Sequence, residues 1–268
     1  LATAKFPTTG SPAAVLKPSS QQKKLVVPFD ESLPSGNFTV EALVQLHSLY
    51  EDATVRTIAA HWNSKTTHPG WAFGVTSKKS KYKPGNLILQ LVGRTASGQM
   101  KYEVVPSDIH LELNQPYYVA VSVNVGDTSE DGVTFYVKKL IGDGQLQTTS
   151  AAHEVVRDFR PEYALNLGGR ENTNRHYWDG LIDDVRISTA VLAGEQLLIG
   201  SKEPGGEATV GQWRFDGEGE TPLADQSSQD NNATIASASE ETRPAPPGSA
   251  LVDFCHVLLN ANEFLYVD

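Results

Sequence analysis

The sequence predicts an all-β protein built as a sandwich or barrel of antiparallel strands. Three observations carry this. Short apolar runs with a period of two recur along the chain, turns rich in Gly, Pro, Asn and Asp separate them, and hardly any stretch has a helical period. Many short strands with few helices pack as sandwiches or barrels. At 268 residues the chain is long enough for one large sandwich or two small domains, with a sizeable core in either case.

The elements follow in order. Residues 1–14 are rich in Thr, Pro and Gly and read as a lead-in, and residues 24–28 carry the first strand signal. Residues 37–46 alternate throughout, with Phe38, Val40, Ala42, Val44 and Leu46 on one face, the clearest half-buried strand in the chain. Strand signals continue at 56–62, 71–76, 86–92, 117–123 and 133–138, the last two joined by an acidic turn at 126–132. Residues 164–169 then lead to 178–188. There Val185 and Ile187 are expected to face a core while Asp184 and Arg186 face water, because a strand reverses face at every residue. Residues 189–198 form a short helix-like run.

Composition and charge exclude several classes. A net charge of −10 favours solubility and argues against a nucleic-acid partner, and the lysines at 78, 79, 81 and 83 read as a solvated loop. Cys255 is the only cysteine, so no intrachain disulfide can form. Cys255-His256 ends like a c-type haem attachment, but Val252 stands where the first cysteine would be needed, so no haem is expected. The seven histidines lack zinc-ligand spacing, and no phosphate-cradling glycine loop follows a strand, so neither zinc nor a nucleotide is expected. No apolar run approaches the roughly 18–20 residues of a transmembrane helix. Without an initiator methionine or a signal peptide, the chain reads as a fragment or a processed product.

The run Trp178-Asp179-Gly180-Leu181-Ile182-Asp183-Asp184-Val185-Arg186-Ile187-Ser188 resembles the closing strand of laminin-G-like, concanavalin A-like jelly rolls. Gly36-Asn37-Phe38-Thr39-Val40-Glu41-Ala42, the pair 56–59 and 71–75, Gln115-Pro116-Tyr117-Tyr118-Val119-Ala120-Val121 and Leu167-Gly168-Gly169-Arg170 resemble further strands of that family, in its order. The resemblance covers residues 15–200 and implies an antiparallel jelly-roll β-sandwich, a fold used more often to bind than to cut. Trp213-Arg214-Phe215-Asp216, followed by 223–232, resembles a segment that normally opens such a domain, yet here it follows the closing strand. Either residues 201–243 return as an edge strand of the same sandwich, or they begin a second module. Too few residues remain for a second sandwich, which favours the return.

After the Pro-rich break opening the segment 244–268, Leu251, Phe254, Leu258 and Leu259 fall at helical spacing and predict a short amphipathic helix. The closing Asn262-Glu263-Phe264-Leu265-Tyr266-Val267-Asp268 is similar to the end of large secreted planctomycete proteins that join cytochrome-like domains to a laminin-G-like module. These resemblances imply a secreted, periplasmic or cell-surface protein whose partners are a glycan, an extracellular polymer or neighbouring domains of a larger parent. In the docking alternative, an apolar patch is expected where Phe264, Leu265 and Tyr266 emerge.

Catalysis is not expected. Glucanases of this fold carry a Glu-x-Asp-x-x-Glu strand, absent here, and Asp216, Glu218 and Glu220 are spaced by Gly217 and Gly219 as in a flexible acidic turn. Ile109-His110-Leu111 lacks the partner motifs of a lyase. The resemblance also implies a structural calcium ion, held by Asp183 and Asp216 with the carbonyl of Gly180, against the simpler reading that both carboxylates bond backbone or cap turns. Asp225, Asp230 and Asn231 form a second oxygen-rich cluster without the usual glycines. Sugar recognition needs an exposed aromatic beside amide and guanidinium groups. Arg170, Asn172, Asn174, Arg175 and Tyr177 offer such a set, as do Trp62 and Asn63, while Trp71 and Trp213 are expected in the core. Trp178 is expected to pack in the core, with Tyr177 pointing outward.

Overall fold

A computed structural model describes residues 2–16, 23–51, 53–156, 159–173, 175–200, 206–216 and 223–237. The strands are β1 (Thr3–Lys5), β2 (Pro12–Leu16), β3 (Lys23–Val27), β4 (Phe38–Leu46), β5 (Val55–His61), β6 (Gly70–Thr76), β7 (Asn86–Arg94) and β8 (Met100–His110). They continue with β9 (Pro116–Val123), β10 (Val133–Lys139), β11 (Gln147–Ala151), β12 (Leu165–Leu167), β13 (Gly180–Ser188), β14 (Thr209–Trp213) and β15 (Thr234–Ser237). An eight-stranded sheet runs β1-β2-β13-β4-β9-β10-β11, with β14 also on β13, and a seven-stranded sheet runs β15-β3-β12-β5-β6-β7-β8. The protein is an antiparallel β-sandwich of the jelly-roll kind, as the sequence predicts.

Alternation builds the core. Phe38, Val40, Ala42, Val44 and Leu46 of β4 face Trp71 and Phe73 of β6 and Leu87, Leu89 and Leu91 of β7 across the layer between the sheets. Phe38 stacks on Trp71 with ring centroids 4.9 Å apart and on Phe159 at 5.8 Å. Trp178 and Trp213 are fully buried in the same core.

The expected lead-in is corrected, since residues 3–5 and 12–16 are paired strands of the eight-stranded sheet. One edge of β13 is shared. Gly180, Leu181 and Ile182 pair with β2, whereas Val185 to Ser188 pair with β14. Asp183 and Asp184 occupy the junction, where Asp184 takes a left-handed φ of 42° and the register with β4 breaks.

Arg186 is also corrected. It points away from the core but is 1% exposed, because residues 190–198 lie over that face. Leu192 and Leu197 pack there on Tyr118, Ala120 and Tyr136. The segment is irregular apart from a single 3-10 turn, Gly194–Gln196, rather than helical. Thr39 Oγ1 donates to the Ala190 carbonyl at 2.7 Å and accepts from the Leu192 N–H at 2.9 Å, and Ser122 Oγ donates to the Leu192 carbonyl at 2.6 Å. The two units of the chain divide after Ser237, and the expected helix of residues 244–268 lies outside the described residues.

Candidate functional site

The outer face of the seven-stranded sheet carries a constellation of polar and aromatic side chains. Register sets one cross-strand row there: Val26 of β3, Asn166 of β12, Ala60 of β5, Ala72 of β6, Gln90 of β7 and Val104 of β8. Gln90 interrupts the apolar run of β7 because it alternates with Leu89 and Leu91, which face the core. Beside this row Trp62, Ala60, Ala72 and Val92 form a small apolar cluster with Met100 packed against it.

Arg170 lies across this face. Its Nε donates to Thr57 Oγ1 of β5 at 2.7 Å and its Nη2 to Gln90 Oε1 of β7, so the guanidinium spans β6, where Ala72 and Gly74 offer little bulk. It sits 5.6 Å from the Trp62 ring centroid, within cation–π range. Burial pulls its pKa down to about 10. Gln90 Nε2 passes the chain on to the Tyr102 hydroxyl at 2.5 Å. Tyr102 stacks on Trp62, centroids 5.9 Å apart and planes 19° from parallel. Trp62 is only 3% exposed, whereas Tyr102 is 40% exposed, so Tyr102 is the ring that presents a free face.

The rim is polar. Lys24 Nζ donates to the Arg170 carbonyl at 2.5 Å, and Ser64 Oγ donates to the Glu171 carbonyl at 2.9 Å. Burial raises the Glu171 carboxyl pKa, with Lys24 opposing. Asn166 Oδ1 and Glu171 Oε2 are buried acceptors with no donor among the described residues. Such orphans are uncommon and call for an explanation.

The predicted binding residues separate. Arg170 and Trp62 come together. Asn63 is buried, its Oδ1 accepting from the Lys65 N–H at 3.1 Å in a local turn. Asn172 and Arg175 are exposed on the loop before β13, and Asn174 lies outside the described residues. Tyr177 is corrected: it is 1% exposed instead of pointing outward. Its carbonyl accepts from the Tyr50 hydroxyl at 2.6 Å and from Arg56 Nη1 at 3.3 Å, which holds the loop under β5. Sequence reasoning missed Tyr102 and Gln90. Their signal was an aromatic on the solvent side of an alternating strand and a lone amide inside an apolar one.

The predicted cation residues lie at the β2–β14 junction. Asp183 is 1% exposed, and its oxygens accept from Ser11 Oγ at 2.5 Å and from the Asp184 N–H at 2.8 Å. Burial first, and then the charges of Asp184 and Asp216, lift its pKa to about 6. Asp184 accepts from Gln212 Nε2 at 2.7 Å and lies 3.7 Å from Arg214. Gly180 is three residues up the strand, with its Cα roughly 10 Å from that of Asp183 at an extended rise. No three His, Cys, Asp or Glu side chains among the described residues converge as a metal site.

Comparison with known proteins matches this architecture. A family model described as the concanavalin A-like lectin/glucanases superfamily covers residues 19–198. No curated protein matches the chain. Among solved structures, a putative carbohydrate binding protein from Bacteroides ovatus is 15% identical, with a TM-score of 0.52 over 80% of this chain and 57% of its own. The enzymatically active domain of tailspike protein 2 from bacteriophage CBA120 is 12% identical, with a TM-score of 0.51 over 74% of this chain and 28% of its own. The chain thus corresponds to little more than half of the first protein and about a quarter of the second, and identities this low speak for the fold alone.

Proposed function

The chain belongs to the concanavalin A-like lectin/glucanases superfamily, and from that premise we propose that it is a non-catalytic module binding a glycan or extracellular polymer on the outer face of its seven-stranded sheet. The observation that carries this reading is the exposed Tyr102 ring backed by Trp62. A sugar's C–H face stacks on such a ring while surrounding amide and guanidinium groups meet its hydroxyls. That the Bacteroides ovatus protein of the same fold is described as a putative carbohydrate binding protein agrees with this reading. A surface module of this kind belongs outside the cytoplasm.

The distribution of carboxylates supports binding over cleavage. Within the strands of this sheet the acidic residues are Glu103 and Asp108, both on β8. Five residues of extended chain separate them by roughly 15 Å. Glycosidase pairs sit about 5–10 Å apart. Glu103 is engaged by the N–H groups of Glu154 and Val155, and Asp108 by Asn86 Nδ2.

The test is a titration of the full chain with oligosaccharides, read by tryptophan fluorescence, alongside Tyr102→Ala. Saturable binding lost in the variant, with an unchanged melting temperature, is expected. Binding that persists undiminished in Tyr102→Ala moves the site elsewhere, and release of reducing ends from a polysaccharide replaces the module with an enzyme.

A further inference from the structure

Arg170 is the group on this face that the reading above leaves unexplained. Its side chain is 3% exposed, and its two bonds go to neutral partners, Thr57 and Gln90. No carboxylate among the described residues pairs with it. Lys24, the nearest cation on the rim, is opposed by Glu171, so that pair supplies no spare negative charge. Arg56 adds a second positive charge within electrostatic reach of Arg170. A guanidinium removed from water without a counter-charge is costly, and proteins rarely keep one unless something else supplies the anion.

The hydrogen bonding of the guanidinium leaves one donor for that anion. Nε and Nη2 are engaged, while Nη1 makes no bond to a described residue and is not among the side-chain atoms sealed from solvent without a partner. The guanidinium is thus held on one side, and its 3% exposure leaves Nη1 a narrow contact with solvent. Tyr102 lies close enough for its phenol to act electrostatically on Arg170, and its ring is the exposed one. A planar donor and a stacking ring are therefore presented side by side.

We propose that the outer face of the seven-stranded sheet selects an acidic sugar residue, its carboxylate or sulfate meeting Arg170 Nη1 while its ring stacks on Tyr102. This rests on the glycan-binding reading and narrows it. Arginine suits the role because its guanidinium stays charged at any physiological pH, and the remaining Nη1 can donate a charge-assisted hydrogen bond to one oxygen of a carboxylate or sulfate. The chain's net charge of −10 works against a densely charged polymer, so the recognised anion is an isolated acidic residue within an otherwise neutral glycan. One charge contact also predicts a weak dependence of affinity on salt, in contrast to the steep dependence of a polyanion site.

The test follows the Trp62 indole and Tyr102 ring signals of the full chain by NMR during titration with matched sugars. Glucuronate, glucose 6-sulfate and glucose are the probes, with acetate and inorganic sulfate as anion controls, on the order of tens of millimolar. Glucuronate or glucose 6-sulfate should shift both signals with affinity roughly tenfold or more above glucose, and the better of the two assigns carboxylate or sulfate. Arg170→Gln should bring the acidic sugar down to the level of glucose, while Arg170→Lys retains part of the preference. Equal affinity for glucose and the acidic sugars overturns the acidic-sugar assignment but leaves the glycan site standing. No response to any sugar overturns both. A response to acetate or inorganic sulfate as strong as to the acidic sugars makes the site a simple anion site and overturns recognition of a sugar. If Arg170→Gln does not fold, the matched comparison in the unmodified chain still decides.

Discussion

Asp183 shows how a single residue acquires its behaviour from its surroundings. Its folded pKa of about 6 lies above the unfolded value near 3.9, so the native state holds the proton more tightly than the unfolded chain does. The sign follows directly. Stability contributed by this group is greatest below about pH 4, falls between about pH 4 and 6, and is lowest above pH 6. At pH 8 the penalty is on the order of 2–3 kcal/mol, at about 1.4 kcal/mol for each unit. Asp183→Asn should therefore lose that slope and be the more stable form at pH 8, less about 1 kcal/mol for weakened bonds to Ser11 and the Asp184 N–H. Urea melts between pH 4 and 8 measure this. Calcium should leave the slope in place, and a calcium-dependent rise in melting temperature that vanishes in Asp183→Asn would assign a cation to the junction instead. The sequence marked Asp183 as unusual. It could not show that Ser11, far away along the chain, supplies its donor.

At the scale of elements, the segment 190–198 explains why strands carry buried polar residues on an outward face. Glu41 Oε2 accepts from Arg186 Nε at 2.6 Å, and Glu41 Oε1 accepts from the Tyr118 hydroxyl at 2.6 Å and the Leu198 N–H at 2.7 Å. Arg186 Nη2 also donates to the Gln196 carbonyl at 2.6 Å. Burial raises the Glu41 pKa against the pull of Arg186. Removing one partner strands the other, so Glu41→Gln or Arg186→Met should each cost about 3–5 kcal/mol. The double change Glu41→Leu with Arg186→Met should cost clearly less than the sum, and a double-mutant cycle in denaturant reads the coupling. Gly180 belongs to this scale too. It adopts a φ of 145°, and a Cβ there would lie 1.9 Å from the Gln45 carbonyl oxygen. Gly180→Ala should destabilise by roughly 2–4 kcal/mol through displacement of β4 from β13, seen as a lower denaturant midpoint at unchanged slope. Its role is close approach of backbones, a reason that a motif shows only as an unexplained glycine.

For the whole molecule, the returning segment is part of the main core. Trp213 is fully buried and donates from Nε1 to the Asn231 carbonyl at 3.0 Å, while β15 pairs with β3 at the edge of the opposite sheet. β14 and β15 thus contribute one strand to each sheet. Trp213→Ala should cost about 3–5 kcal/mol, and residues 206–237 should unfold with the rest in one transition. Limited proteolysis across the denaturation curve checks this, and cleavage within 209–237 well before the global midpoint would contradict it.

The sequence by itself determined the fold class and most of the strands, because burial on one face of a strand writes a period of two into neighbouring residues. It also marked Arg170 and Trp62 as candidates for binding. Only the tertiary structure decided that Tyr177 is buried and Tyr102 exposed, that Arg186 is covered, and that Arg170 meets Gln90 across β6. The physical reason is that strand period records which of two faces a residue takes. What lies over that face is set by segments far away in the chain, whose return leaves no periodic trace.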